Sequence, residues 1–231
     1  MDYLCADTCR GIERTGRIVR VLVLSAWYYP ARNPRAFRTT ELVRELHRRG
    51  HHVDLFIPKD AIVDDFGMGN VHKVDVERPL ERQLTEPSAH PSLRRVVVSF
   101  IRWASRFFLG VGPRDMWYGG HLFWTMCQHR KEMKDYDMEI AISYPFSVLL
   151  VSRFIEHFYH TATVRIADCG DPLYRNPSFA KAWYLKWAEK WVLSGYHYIS
   201  VPFDRAKEAY EGLAPPTKIT TIPQGVRLVD I

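Results

Sequence analysis

Long apolar runs are missing from this chain of 231 residues. No stretch reaches the roughly 18 apolar residues that a membrane-spanning helix needs, so no segment is expected to cross a bilayer. Cysteine is scarce. Cys5 and Cys9 lie near the start, and Cys127 and Cys169 are far apart. Such scatter does not make a disulfide framework, and it lacks the ligand spacing of a zinc site. Gly67 and Gly69 stand without a third glycine or a preceding strand, so they are not a dinucleotide fingerprint. Internal repeats and low-complexity segments are absent as well. Residues 1–17 lack the apolar centre of a secretory signal and are expected to be a disordered extension. A cytoplasmic location follows as an expectation, and so does the absence of a cofactor.

Apolar residues are nonetheless plentiful, at 47% of the chain, enough for the core of one large or two small domains. The formal net charge of +6 favours anionic partners such as phosphates, nucleotide diphosphates or an anionic membrane face. Residues 19–25 are continuously apolar, the mark of a buried parallel strand. A helix is predicted over 34–49, with Ala36, Thr39, Val43 and Leu46 on one face and Gly50 ending it. Further strands are predicted at 52–57, 70–76, 138–143, 163–167, 198–201 and 218–222. Helices are predicted at 93–109, 115–134, 146–158 and 178–194, with a short one after Asp204. The alternation predicts a single α/β domain over residues 18–231, a Rossmann-like parallel sheet with helices on both faces.

The loop after the first strand breaks a local rule. Asn33 suits an N-cap and Pro34 the first helical position, yet Arg35 and Arg38 occupy the first turn and Arg32 precedes it. Cations are disfavoured at a helix N-terminus. Guanidinium forks beside unpaired backbone N–H groups would hold a phosphate or carboxylate. The alternative is that these arginines pair with carboxylates or point into water.

Ligands of parallel sheets bind at the carboxyl ends of the strands. The loops expected there supply Tyr29, Ser143, Tyr144, Asp168, Asp171, Gln224 and Gly225 in addition to the arginines. Asp168 and Asp171 are the only paired acids in these loops, and one could orient or deprotonate a hydroxyl. Equally, Asp171 could cap the turn before Pro172 and Asp168 could accept backbone N–H bonds. Two aspartates alone are a poor metal site, and His51 and His52 have no third ligand nearby, so no metal is expected. Trp183, Trp187 and Trp191 recur every four residues, a spacing expected to pack against the sheet.

The predicted helix at 93–109 carries Arg95, Arg102 and Arg106 on one face, opposite Val97, Ile101, Ala104 and Phe108, with Trp103 alongside. No acidic residue occurs between Arg94 and Arg114. This pattern suits the surface of an anionic membrane; it also suits an ordinary amphipathic helix with a solvated basic face.

Two segments resemble known enzymes. Leu22–Pro58 resembles the opening of the retaining GT-B glycosyltransferases, family 4-like, through Tyr29, Pro30, the Pro34–Arg38 turn, Leu42, Leu46 and Arg49–Val53 (RGHHV). The segment Asp137–Gly225 resembles the same family, the matching pieces being Tyr136-Asp137, Ser143–Pro145, Asp168–Pro172, the Trp/Glu/Lys helix, Tyr198–Pro202 and Ile222–Gly225. The resemblance implies the N-terminal, acceptor-binding half of a GT-B fold. The position matching Asp168 is often histidine in that family, and Asp168 is a departure. The family's second Rossmann domain, which makes most donor contacts, does not follow Gly225 in this sequence.

The expectation is therefore a half transferase, inactive by itself. It would serve a nucleotide-diphosphate sugar donor and a cell-envelope glycan or lipid-linked acceptor, at the inner face of the cell membrane. Arg32, Arg35 and Arg38 would face the diphosphate, and Asp168 and Asp171 the hydroxyls. A non-catalytic anchoring subunit that recruits a second, catalytic subunit is the main rival. A nucleotide-sugar epimerase would need the same second half. Nucleic acid is not an expected partner, because the basic residues do not form a known binding motif.

Overall fold

The computed structural model describes residues 18–63, 69–75, 113–133, 135–176 and 183–223. The extension at 1–17, the basic helix predicted at 93–109 with Arg95, Arg102, Trp103 and Arg106, and the pair Gln224 and Gly225 lie outside the described residues.

In chain order the elements are β1 (Arg20–Leu24), α1 (Pro34–Arg48), β2 (His52–Pro58), β3 (Val71–Val74), α2 (Pro113–Gln128), β4 (Tyr136–Ile142), α3 (Phe146–Tyr159), β5 (Ala162–Asp168), α4 (Trp183–Ser194), β6 (Tyr198–Val201) and β7 (Ile219–Thr221). A 3-10 segment (Asp204–Tyr210) separates the last two strands. The strands form one sheet in the order β3-β2-β1-β4-β5-β6-β7, parallel throughout. This is the Rossmann-like α/β architecture expected from the alternation.

The central strands β1 and β4 and the neighbouring β2 are buried on both faces because helices cover both, whereas the edge strands β3 and β7 keep exposed residues. On one face, Val43 of α1 packs with Val21, Val23, Val53, Leu55 and Ile140. On the other, Leu122 and Met126 of α2, Val148 and Ile155 of α3 and Val192 of α4 pack with Leu22, Leu24, Phe56 and Ala141. Continuous apolar strands are the sequence signature of that double burial.

Helix α1 begins and ends as its residues dictate. The Asn33 side chain accepts a hydrogen bond from the Ala36 N–H at 2.8 Å, and Pro34 occupies the first turn. At the other end Gly50 takes a positive φ of 80°, which a side chain would resist. The backbone N–H groups of Gly50 and His51 then reach back to the carbonyls of His47 and Leu46 at 2.7 and 3.1 Å.

Helix α4 corrects one expectation. Trp183 and Trp187 are exposed, Trp191 packs partly against the core as expected, and Leu185, Val192 and Leu193 supply the buried apolar face. A spacing of four overshoots one helical turn, so the row of tryptophans drifts around the helix from solvent toward the core. Glu189 lies on the buried side for a different reason: its carboxylate accepts the backbone N–H groups of Leu173 and Tyr174 at 2.7 and 2.8 Å. Burial holds its pKa above the usual range. The loop after β5 is thereby tied to α4.

Candidate functional site

The strand order reverses between β1 and β4, since β2 and β3 lie to one side of β1 and the later strands to the other. At such a reversal the loops leaving the two central strands diverge to opposite faces and open a crevice. Beside that reversal, a small cavity at the carboxyl ends of β4, β5 and β6 is lined by Arg35, Arg38, Ile142, Asp168, Gly170 and Pro202.

The loop after β1 is braced from beneath. Tyr118 of α2 donates its hydroxyl to the Ser25 carbonyl at 2.7 Å, and the Ser25 hydroxyl lies 3.1 Å from that of Thr39. The Trp27 N–H donates to the Ser25 hydroxyl oxygen at 3.1 Å. The Tyr29 N–H donates to Thr40 Oγ1 at 3.2 Å. Burial pushes the Tyr118 phenol pKa upward, so this hydroxyl stays protonated as a donor.

The two first-turn arginines pair with the two aspartates. Arg38 grips Asp168 with two hydrogen bonds, Nε to Oδ2 at 2.5 Å and Nη2 to Oδ1 at 2.6 Å. Its remaining Nη1 donates to the Ile222 carbonyl at 3.0 Å, and the Ser200 hydroxyl also donates to Asp168 Oδ1. The Asp168 side chain is only 8% exposed. One bidentate pair thus fastens α1 to the ends of β5, β6 and β7, and both guanidinium edges are in use.

Arg35 sits in a more open setting. Its Nη1 donates to the Ser143 carbonyl at 2.8 Å, and its Nη2 to Asp171. The Asp171 side chain is 58% exposed. Tyr144 lies under the guanidinium at 4.9 Å from ring centroid to Cζ. Gly170 approaches the same group so closely that a Cβ there would lie 3.0 Å from both Nη atoms. A side chain at position 170 would press on the guanidinium and push it a few tenths of an ångström from its present place.

Tyr144 itself has a φ of 69°. The left-handed region costs a non-glycine residue about 1–3 kcal/mol and persists only where the surroundings enforce it. Such strain is concentrated at functional sites, and here it lies directly beneath the cation. The following helix, α3, begins at Phe146 with no side-chain cap.

The remaining predicted residues are placed as follows. Asn33 spends its side-chain oxygen on the α1 cap. Arg32 is exposed in the loop ahead of it, and Tyr29 is exposed with its carbonyl accepting from the Ile62 N–H at 2.8 Å. Ser143 contributes its carbonyl to Arg35, and its N–H donates to the Asp168 carbonyl at 2.8 Å. Cys169, between the aspartates, is buried, and burial raises its thiol pKa well above the usual value, which suppresses its reactivity.

Sequence reading missed two groups. Glu139 and Arg165 are buried charges inside β4 and β5, and no local motif marks them. Gly170 drew no notice either, because only the position of Arg35, 135 residues earlier, gives it meaning. An adjacent-residue search could not find either group.

No protein-family model matches the sequence. No curated protein sequence matches it. Among solved structures, the chain is similar to an alpha-glucosyltransferase in complex with UDP and a 13-mer DNA containing a HMU base, at 10% identity and a TM-score of 0.47. That match covers 93% of this chain and 44% of the other. A second alpha-glucosyltransferase structure, with UDP and a 13-mer DNA containing a central A:G mismatch, matches at 9% identity and a TM-score of 0.44, covering 92% and 42%. A UDP-glucose 4-epimerase from Brucella ovis in complex with NAD matches at 10% identity and a TM-score of 0.29, covering 79% and 63%. The chain spans less than half the length of the two glucosyltransferase chains. These likenesses concern the α/β architecture, and no activity passes across them.

Proposed function

We propose that this chain forms the acceptor-side half of a glycosyltransferase whose donor is a nucleotide-diphosphate sugar. One observation carries this reading: at the strand-order reversal, Arg35 is held by a backbone carbonyl, a strained tyrosine and a glycine, while its acidic partner Asp171 is exposed. A guanidinium anchored on one edge can exchange a solvated carboxylate for a diphosphate without moving its base. It would then stabilise negative charge as the nucleotide leaves. Asp171, once released, is free to accept a hydrogen bond from a sugar or acceptor hydroxyl. Arg38 and Asp168 would act as positioning residues, because each is engaged by the other and by β6 or the segment after β7.

The finer identity rests on the sequence resemblance: a retaining GT-B enzyme, family 4-like, acting on a cell-envelope glycan or lipid-linked acceptor at the inner membrane face. Most donor contacts would come from a second Rossmann lobe. A basic face at 93–109 would meet the membrane, and nucleic acid would not be a partner. No helix among the described residues is long and apolar enough to cross a membrane.

The test is titration of the chain with UDP, ADP and GDP, followed by ligand-observed NMR. Saturable binding of at least one nucleotide is expected, weakened about tenfold or more by Arg35→Ala, the loss of a charge-assisted bidentate contact. Nucleotide binding unchanged in Arg35→Ala, or absent for all three nucleotides, would overturn the proposal. Mixing with a donor-binding lobe separates the rival: sugar transfer only on mixing supports the half enzyme, whereas membrane recruitment of the lobe without a rate effect supports an anchoring subunit.

A further inference from the structure

At the far edge of the sheet from β7, two histidines and a glutamate from separate segments converge. His72 lies on the edge strand β3, His129 directly follows α2, and Glu132 completes the turn beyond it. Each offers one ligand atom, and the three atoms lie within 4.8 Å of one another. We propose that His72, His129 and Glu132 form a binding site for a divalent transition-metal ion of the zinc type.

The donor set favours this chemistry. Two imidazoles and one carboxylate suit zinc, cobalt, nickel or copper, whereas magnesium and calcium want oxygen alone. Three protein ligands leave a fourth position for water. Bond lengths of about 2.0–2.2 Å in a tetrahedral site place neighbouring donors about 3.3–3.5 Å apart. His129 Nδ1 and Glu132 Oε2 are already 3.3 Å apart. Both side chains are partly exposed and can rotate to close the remaining distance.

His72 supplies the second observation. The residue is 7% exposed, and its Nε2 is sealed from solvent with no hydrogen-bond partner among the described residues. A buried polar atom without a partner is costly, and native structures rarely leave one so. Its ring stacks on Phe56 at 4.4 Å and lies 4.2 Å from the ring of His129. Burial, then the charge of His129, lowers the His72 pKa against the opposing pull of Glu132 and Asp54. A neutral imidazole keeps the lone pair a metal requires. The bound ion would clasp the edge strand to the end of α2. The site is independent of the arginine crevice, because β3 is two strands removed from β1.

The experiment is calorimetric titration of the full chain with Zn²⁺ after chelator treatment, paired with Co²⁺ absorption spectroscopy. One ion per chain is expected, with a tetrahedral Co²⁺ spectrum and a melting temperature that rises on adding Zn²⁺. His129→Ala and Glu132→Gln should each weaken binding at least about tenfold, the scale on which even supporting residues act at metal sites. His72→Phe, which preserves the stacking shape and whose folding is checked by circular dichroism, should do the same. The exposed His157→Ala should bind as the parent does. No saturable binding, or saturable binding that survives the three substitutions, would overturn the proposal.

Discussion

At Arg165, in the middle of β5, a guanidinium is buried to 1% exposure among Glu139, Ser152, the Gly195 carbonyl and the Tyr196 ring. Glu139 in turn accepts from Ser152 and from Thr161, the latter at 2.5 Å. At the end of the same strand, Asp168 and Asp171 meet Arg38 and Arg35 at the carboxyl rim of the sheet. Both regions contain arginine–carboxylate pairs, yet only the rim can release a partner to a ligand. The inner pair has no water to replace what it would lose. At the rim the gradient continues within one helix turn, from the sealed Arg38–Asp168 pair to the half-solvated Arg35–Asp171 pair. Burial, rather than the identity of the residues, separates a structural ion pair from one available for binding.

The comparison breaks most severely at the buried end. Glu139→Ala removes the nearer carboxylate of the buried Arg165 and leaves only Glu156 at 3.7 Å, and urea unfolding should show a loss of about 3 kcal/mol. A loss under 1 kcal/mol would mean that water reaches this centre. Next comes Arg38→Ala, which strands Asp168 beside Ser200; a loss of about 2–3 kcal/mol is expected in the same assay. Arg35→Ala should cost under about 1 kcal/mol, because Asp171 returns to water. Equal losses at Arg35 and Arg38 would erase the distinction drawn between them.

The smallest effect concerns a pair far from either region. The carboxyl of Glu45 has its pKa lowered to about 2, chiefly by hydrogen bonding to Arg48 and also by Arg49. A lowered folded-state pKa means stability that is fully present above the unfolded value near 4.5 and lost as pH falls through about 2. Solvent screening limits the contribution to about 1 kcal/mol or less. The stability gap between the parent and Glu45→Gln should therefore be constant above about pH 4.5 and shrink below it, as followed by circular dichroism of urea unfolding.

Several elements were legible in the residues alone. Asn33, Pro34 and Gly50 marked both ends of α1, because capping and left-handed backbone are local chemistry. The apolar runs of β1, β2 and β4 announced a doubly covered sheet. Boundaries were less legible: the last strand was expected at 218–222, but a 3-10 turn at Pro216–Lys218 leaves only Ile219–Thr221 paired. Pairing partners decide where a strand stops, and they lie outside its own sequence.

The candidate site divides in the same way. Sequence marked Arg35, Arg38, Asp168 and Asp171 as unusual, and strand order was enough to expect them on one edge. It assigned the arginines to a phosphate and the aspartates to hydroxyls, with carboxylate pairing of the arginines as the alternative, and in the structure Arg35 and Arg38 do pair with carboxylates. Their mutual pairing spans 130 and 136 residues, and no local spacing encodes it. The convergence of His72 on His129 and Glu132 is hidden for the same reason.

What the sequence by itself determined is the succession of strands and helices, the caps of α1 and the chemistry stocked at the strand ends. Those follow from periodicity, backbone preference and side-chain type, which act over a few residues. Which charges are sealed, which arginine stays open to a ligand and which side of α4 faces inward were decided only by tertiary packing. Burial and long-range pairing set the local dielectric and the available partners, and neither is a property of any short segment.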